Sequence, residues 1–115
     1  MRQTFHLIAS EDWEASDPSA PYAAASLATE GFIHCTDGER ELLATANRHF
    51  RADLRPFHAL TIDLETTGSP WRIEDEAGVY PHIYGPIARA AIVSAVSVTR
   101  DAEGRFLAFG AREGD

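Results

Sequence analysis

Gly31-Phe32-Ile33-His34-Cys35-Thr36 reads as a short strand running straight into a helix, and the reading of the whole chain turns on it. Alternation puts Phe32, His34 and Thr36 on one face and Ile33 and Cys35 on the other. Glu39 follows Thr36 at capping-box spacing, and an apolar-periodic segment begins at Leu42. His34 is therefore expected just before a helix N-terminus, where free backbone N–H groups and the helix dipole favour an anion such as phosphate or carboxylate.

Upstream of this stretch, residues 4–8 predict a first strand, with Phe5 and Leu7 on one face and His6 on the other. Ser10 suits the cap of a short acidic turn, and residues 16–21 form a proline-bounded loop. Pro21 fits a first helical position, so the alanine-rich residues 22–29 predict a helix ending before Gly31. Downstream, residues 38–50 predict a second main helix with Leu42, Leu43, Ala46 and Phe50 as its apolar stripe. Asn47 borders that stripe, with Arg48 adjacent.

The second half is strand-rich. Residues 57–64 alternate with Leu60, Ile62 and Leu64 on one face, and residues 66–70 form a turn around Gly68. Residues 71–74 and 79–84 predict two short strands joined by a turn, with Tyr80, His82 and Tyr84 sharing a face opposite Ile83. Prolines at 81 and 86 bracket the second of these, which favours an edge or irregular strand. Residues 92–99 are apolar on both faces and read as a central strand, and residues 106–109 close the sheet. Helices clustered before a run of strands predict one α+β domain over residues 1–115.

The chain has 115 residues and is 44% hydrophobic, enough for one core without covalent staples. Its lone cysteine, Cys35, excludes an internal disulfide framework and fits a reducing compartment. No stretch approaches membrane-spanning length and no apolar leader precedes Phe5, so a cytoplasmic protein without membrane contact is expected. Net charge is −8, with 18 acidic residues against 10 basic ones, all arginine. Such a surface repels phosphodiester backbones and disfavours general nucleic-acid binding. A small phosphorylated ligand held by one or two arginines stays compatible with it.

Three strands place a histidine opposite an apolar face: His6, His34 and His82. Converging, they would line a cleft with groups that titrate near neutral pH; apart, each would merely hydrogen-bond a backbone carbonyl. Metal binding is disfavoured, because no HExxH or CxxC occurs and His34 and Cys35 point to opposite faces. The same opposition removes a Cys–His nucleophilic pair. Glu74 could partner the cleft or be a surface hairpin charge, and Arg48 could bind an anion or be a solvated helix flank. Trp71 and Tyr84 could stack on a ligand ring or pack in the core.

Taken together, Phe5-His6-Leu7, Ser26-Leu27, Glu30 through Thr36, Ala46-Asn47-Arg48, Trp71 with Glu74, and Pro81-His82-Ile83-Tyr84-Gly85-Pro86 resemble the small bacterial domain-of-unknown-function family nine-five-two. Thr36 stands where the family pattern has serine and keeps the hydroxyl; Tyr80 stands where it has phenylalanine and adds one. The resemblance implies His34, Thr36, Asn47, Arg48, Glu74, His82 and Tyr84 as functional candidates. It also implies a fold similar to ADP-ribosyltransferases, a split antiparallel sheet around an NAD cleft, in which His6 would contact the nicotinamide ribose. Glu74 is the acidic candidate by family position, while no glutamate matches the third motif of that superfamily.

The resulting expectation is an enzyme or pseudo-enzyme whose histidine-lined cleft takes NAD or another nucleotide-like, phosphorylated small molecule. His34, Glu74 and His82 would be catalytic, with His6, Thr36, Asn47, Arg48 and Tyr84 binding the ligand and no metal involved. The alternative is a non-catalytic regulatory module whose partner is a peptide or protein.

Overall fold

The computed structural model describes residues 1–110. Its first strand, β1 (Gln3–Ala9), leads directly into helix α1 (Ser10–Ala15), and α2 (Ala25–Glu30) delivers the chain into β2 (Ile33–His34). Helix α3 (Glu39–His49) is followed by β3 (Phe57–Asp63), β4 (Trp71–Ile73), β5 (Pro81–Ile83), β6 (Ile92–Arg100) and β7 (Phe106–Phe109). Two 3-10 turns, Leu64–Thr66 and Arg89–Ala91, complete the described chain.

The strands form two antiparallel sheets, one ordered β1-β3-β6-β7 and the other β2-β5-β4. They touch at one point on the free edge of β1. There the Phe5 N–H donates to the Thr36 carbonyl at 3.0 Å, and the Thr36 N–H donates to the Phe5 carbonyl at 2.8 Å. The inner faces of both sheets enclose one apolar cluster, with Ile8, Leu60, Ile62, Ile33, Cys35 and Ile83 at its centre. The opposite face of the larger sheet meets α3, where Leu42 and Ala46 pack on Ala59, Val96, Val98 and Phe106. Burying each large side chain here contributes about 1.5–3 kcal/mol, so these layers supply most of the stability. The architecture is a single α+β domain, as the order of helices and strands predicts.

Several local expectations are corrected. The short helix begins at Ser10 itself, and the Ser10 hydroxyl pairs with His58 Nδ1 at 2.6 Å instead of capping the turn. Residues 22–24 do not join the alanine-rich helix, which starts only at Ala25. Tyr22 exchanges two 2.8 Å backbone hydrogen bonds with Ile87 and sends its ring into the core. That tertiary pairing outweighs alanine's intrinsic helix preference. Among the described residues there are three helices, all in the first half, where two main ones were expected.

The Thr36–Glu39 capping box is also absent. Helix α3 starts at Glu39 after Gly38, without a side-chain cap, because Thr36 is committed to its backbone pairing with Phe5. Glu39 and Glu41 occupy the first turn of α3 and place carboxylates where an anion was expected. The predicted anion seat at that helix end is therefore taken by the protein's own charges.

Candidate functional site

The site begins with a turn. The last residue of α2 is Glu30, and Gly31 follows in the left-handed region at φ 89°. Its N–H donates to the carbonyls of Ser26 and Leu27, a closure that glycine adopts without the steric cost other residues incur. Ser26 then donates its hydroxyl to the Phe32 carbonyl at 2.8 Å, holding the chain as it enters β2. This reversal lays the Glu30 side chain over His34. The His34 Nε2–H donates to the Glu30 carboxylate at 3.0 Å, with both side chains about half exposed.

On the neighbouring strand, His82 lies directly opposite His34 in register, and Arg72 of β4 lies opposite His82. Alternation buries Ile33, Cys35, Pro81 and Ile83 on the back of this sheet and leaves His34, His82 and Tyr84 on its front. Phe32 stacks on the His82 ring at 4.1 Å between centroids, with an 18° interplanar angle. The two imidazoles stand edge to face at 5.7 Å.

A second carboxylate serves His82. Glu74 Oε1 is 3.4 Å from His82 Nδ1 and also accepts the Tyr84 hydroxyl. The Tyr84 bond, and secondarily His82, hold the Glu74 carboxyl below its ordinary range; Glu74 in turn raises the Tyr84 phenol. Arg72 lies over the Tyr84 ring at 5.7 Å. The front of the small sheet thus carries two imidazoles, each beside its own carboxylate, on an aromatic floor.

This face opens into a groove of about 1100 Å3 that reaches from α1 and residues 22–26 to the flank of α3. His34 and His82 line it from the small sheet, and Thr45 and Arg48 line it from α3. Thr36 lines it as well, although it is buried and its backbone is engaged with Phe5.

Two expected ligand-binding residues are turned to other tasks. His6 is 6% exposed, and both its ring nitrogens have partners. Nδ1 lies 2.7 Å from the His34 carbonyl, which can only accept, so Nδ1 carries the proton; Nε2 then accepts the Tyr22 hydroxyl at 2.8 Å. Burial pushes the His6 imidazole down to about 4 and the Tyr22 phenol up, so both are neutral at pH 7. His6 supports the His34 backbone from beneath. Asn47 faces away from the cleft, where its amide donates to the Phe106 carbonyl at 3.0 Å and accepts the Phe106 N–H at 2.7 Å. It acts as a side-chain strand partner that ties α3 to β7.

The structure brings His34, His82, Glu74 and Tyr84 together; His34 and His82 line the groove with Arg48, which lies beside Tyr80, whereas Glu74 and Tyr84 stand just outside its lining. Glu30, Phe32 and Tyr80 were not among the predicted site residues. The first had a legible signal: a carboxylate ending a helix, then glycine, then a strand histidine four positions on. Cys35 sits in the core with its thiol pushed up by burial, as expected for a small hydrophobe.

Against known proteins, the family model described as "Protein of unknown function (DUF952)" matches residues 7–95. The chain is similar to two crystal structures of protein CC0527 from Caulobacter crescentus, one of them of a double mutant. Each shows 21% identity and a TM-score of 0.73 over 91% of this chain and 93% of that one. A solution NMR structure of CC0527 gives 22% identity and a TM-score of 0.69, covering 90% of each chain. At this identity the likeness establishes the fold alone. No curated protein matches the chain. Among the described residues, no helix is long and apolar enough to cross a membrane.

Proposed function

The chain belongs to the DUF952 family, whose function is unknown, and we propose that its histidine-lined cleft binds NAD or another nucleotide or phosphorylated small molecule. The observation that carries this reading is the adjacent pair of imidazoles lining the groove, His34 hydrogen-bonded to Glu30 at 3.0 Å and His82 with the Glu74 carboxylate 3.4 Å from its Nδ1. A carboxylate accepting one ring N–H orients the imidazole and leaves the other nitrogen facing the ligand. One such group could take a proton while its neighbour returns one, which makes His34 and His82, with Glu74, the proposed proton-handling residues. Arg48 would contact the ligand from the α3 side, Tyr84 would reach it from beyond His82, just outside the groove's lining, and Thr36 would line its path. His6 would act as a positioning residue through the His34 carbonyl rather than touching a ribose. Two antiparallel sheets that diverge from one contact at Phe5 and Thr36 support the expected likeness to the split sheet of ADP-ribosyltransferases. That likeness of fold is analogy and does not identify the reaction.

Titration calorimetry with NAD, ADP-ribose and inorganic phosphate tests the reading. Binding at or below millimolar concentration is expected for at least one of them. His34→Ala and His82→Ala should each weaken it at least tenfold while leaving the protein folded. Absence of binding by all three overturns the cleft reading. A peptide or protein partner whose capture survives both substitutions would favour the non-catalytic module instead.

A further inference from the structure

Along β5, side chains that share a face stand about 7 Å apart, so the front-face row continues beyond His82 in both directions. In one direction along the strand it reaches Tyr84, whose hydroxyl donates to the Glu74 carboxylate. Toward α3 it reaches Tyr80, whose hydroxyl is 3.3 Å from Thr45 Oγ1. Arg48 lies three residues after Thr45 on α3, hence on the same helix face, and all three side chains line the groove that also holds His34 and His82. The row is electrically uneven: an arginine and two hydroxyls meet around Tyr80, whereas the Glu74 carboxylate sits between His82 and Tyr84 and the Glu30 carboxylate beside His34.

We propose that Thr45, Arg48 and Tyr80 form a phosphate subsite, which seats a nucleoside phosphate or sugar phosphate with its sugar over His82 and its hydroxyls toward Glu74. The inference rests on the cleft reading above and adds the orientation of the ligand. Its chemistry is plain: a guanidinium and two hydroxyl donors match the acceptor oxygens of a phosphoryl group, and charge-assisted bonds of this kind are the strong ones. Thr45, followed by Arg48, lowers the Tyr80 phenol, so this end of the groove already favours negative charge. The acids nearby are accounted for. Asp75 lines the groove but accepts the backbone N–H groups of Val79 and Tyr80 at 3.2 and 3.1 Å, and Glu41 raises the Tyr80 phenol only as the weakest of the influences on it. Among the described residues, no carboxylate lies within ion-pair distance of Arg48, although acids outnumber bases 18 to 10 in the chain. The α3 carbonyl end, which would repel an anion, carries Arg48 and His49 in its last turn as compensation.

The test is calorimetric titration with the four common nucleosides and their 5′-monophosphates at low salt. At least one monophosphate should bind about tenfold or more tightly than its nucleoside. Arg48→Gln should erase that advantage and leave nucleoside affinity within twofold, and Tyr80→Phe should reduce the advantage in part. Arg48 is exposed, so the substitution leaves the fold intact. Equal affinity of every monophosphate and its nucleoside, or an equal loss for both in Arg48→Gln, overturns the subsite while leaving the cleft reading standing. If the unaltered protein binds none of these and none of NAD, ADP-ribose or inorganic phosphate, the cleft reading falls and the subsite falls with it.

Discussion

The two sheets divide the work of the molecule unequally. The larger one has strands of seven, seven, nine and four residues, in register from Gln3–Asp63 to Ala9–Phe57 along its first pair. It is covered by α3 on one face and by the shared core on the other. The smaller one has strands of two, three and three residues and is covered on its back only. So few ladder bonds could not hold it alone. It persists because Ile33, Cys35 and Ile83 sink into the shared core and because Thr36 is pinned to Phe5. Its front is thereby left free for the half-exposed His34, the more covered His82 and an aromatic stack, groups that add little to stability and are positioned for chemistry.

The largest expected effect sets these regions against each other. Leu60 on β3 is fully buried between the sheets, so Leu60→Ala should cost about 2–5 kcal/mol. His34→Ala, on the open front, should cost less than about 1 kcal/mol. Urea denaturation of both variants measures the difference directly. Losses of similar size would show that the small sheet is a structural keystone rather than a platform, and the division would fail.

His6 sharpens the comparison because it is a histidine of the large sheet that lies beneath the small one. Its pKa falls from the ordinary 6.5 to about 4 on folding, chiefly through desolvation. The unfolded chain therefore binds a proton that the folded chain refuses between those values. Stability attributable to His6 is intact above pH 6.5 and is lost progressively as pH falls toward 4, by about 3 kcal/mol. Below pH 4 the loss levels off, and carboxylate protonation takes over. Unfolding free energies measured from about pH 7 to about pH 4 should fall more steeply in the unaltered protein than in His6→Asn. Parallel slopes would mean that His6 is hydrated or charged in the fold.

Legibility of the sequence follows the same division. Residues 4–8 and 57–64 were readable as strands because period-two patterning survives wherever a long sheet packs on its faces, and residues 92–99 because they are apolar on both faces; the observed ends differ by no more than one residue. Tyr22 was misread because an alanine run looks helical, whereas its partner Ile87 lies 65 positions away and leaves no local trace. Thr36 and Glu39 had capping-box spacing, yet the Thr36 backbone was already claimed by Phe5. At the site, alternation alone put His34, His82 and Tyr84 on shared faces. Strand register, which the sequence does not print, put His34 beside His82. Asn47 looked like a cleft residue by position, and only the arrival of β7 beside α3 shows that its amide is a backbone partner.

The smallest expected effect is spectroscopic and confined to the small sheet. The three tyrosines occupy three environments: Tyr80 is lowered by Thr45 and Arg48, Tyr84 is raised by Glu74, and Tyr22 is raised further by burial. Phenolate absorbance followed upward in pH should resolve them in that order, with Tyr22 ionising last or only on unfolding. Glu74→Gln removes the carboxylate that holds the Tyr84 proton, so the second transition should move down toward the ordinary value of about 10. Arg72, which lies over the Tyr84 ring and opposes Glu74, remains in place and acts in the same downward direction. The first transition should not move, because Tyr80 answers to α3, and Tyr80→Phe assigns it by abolishing it. A second transition indifferent to Glu74→Gln would mean that Glu74 does not hold Tyr84 in solution, and the pairing of Glu74 with His82 would then lose its neighbour and its support.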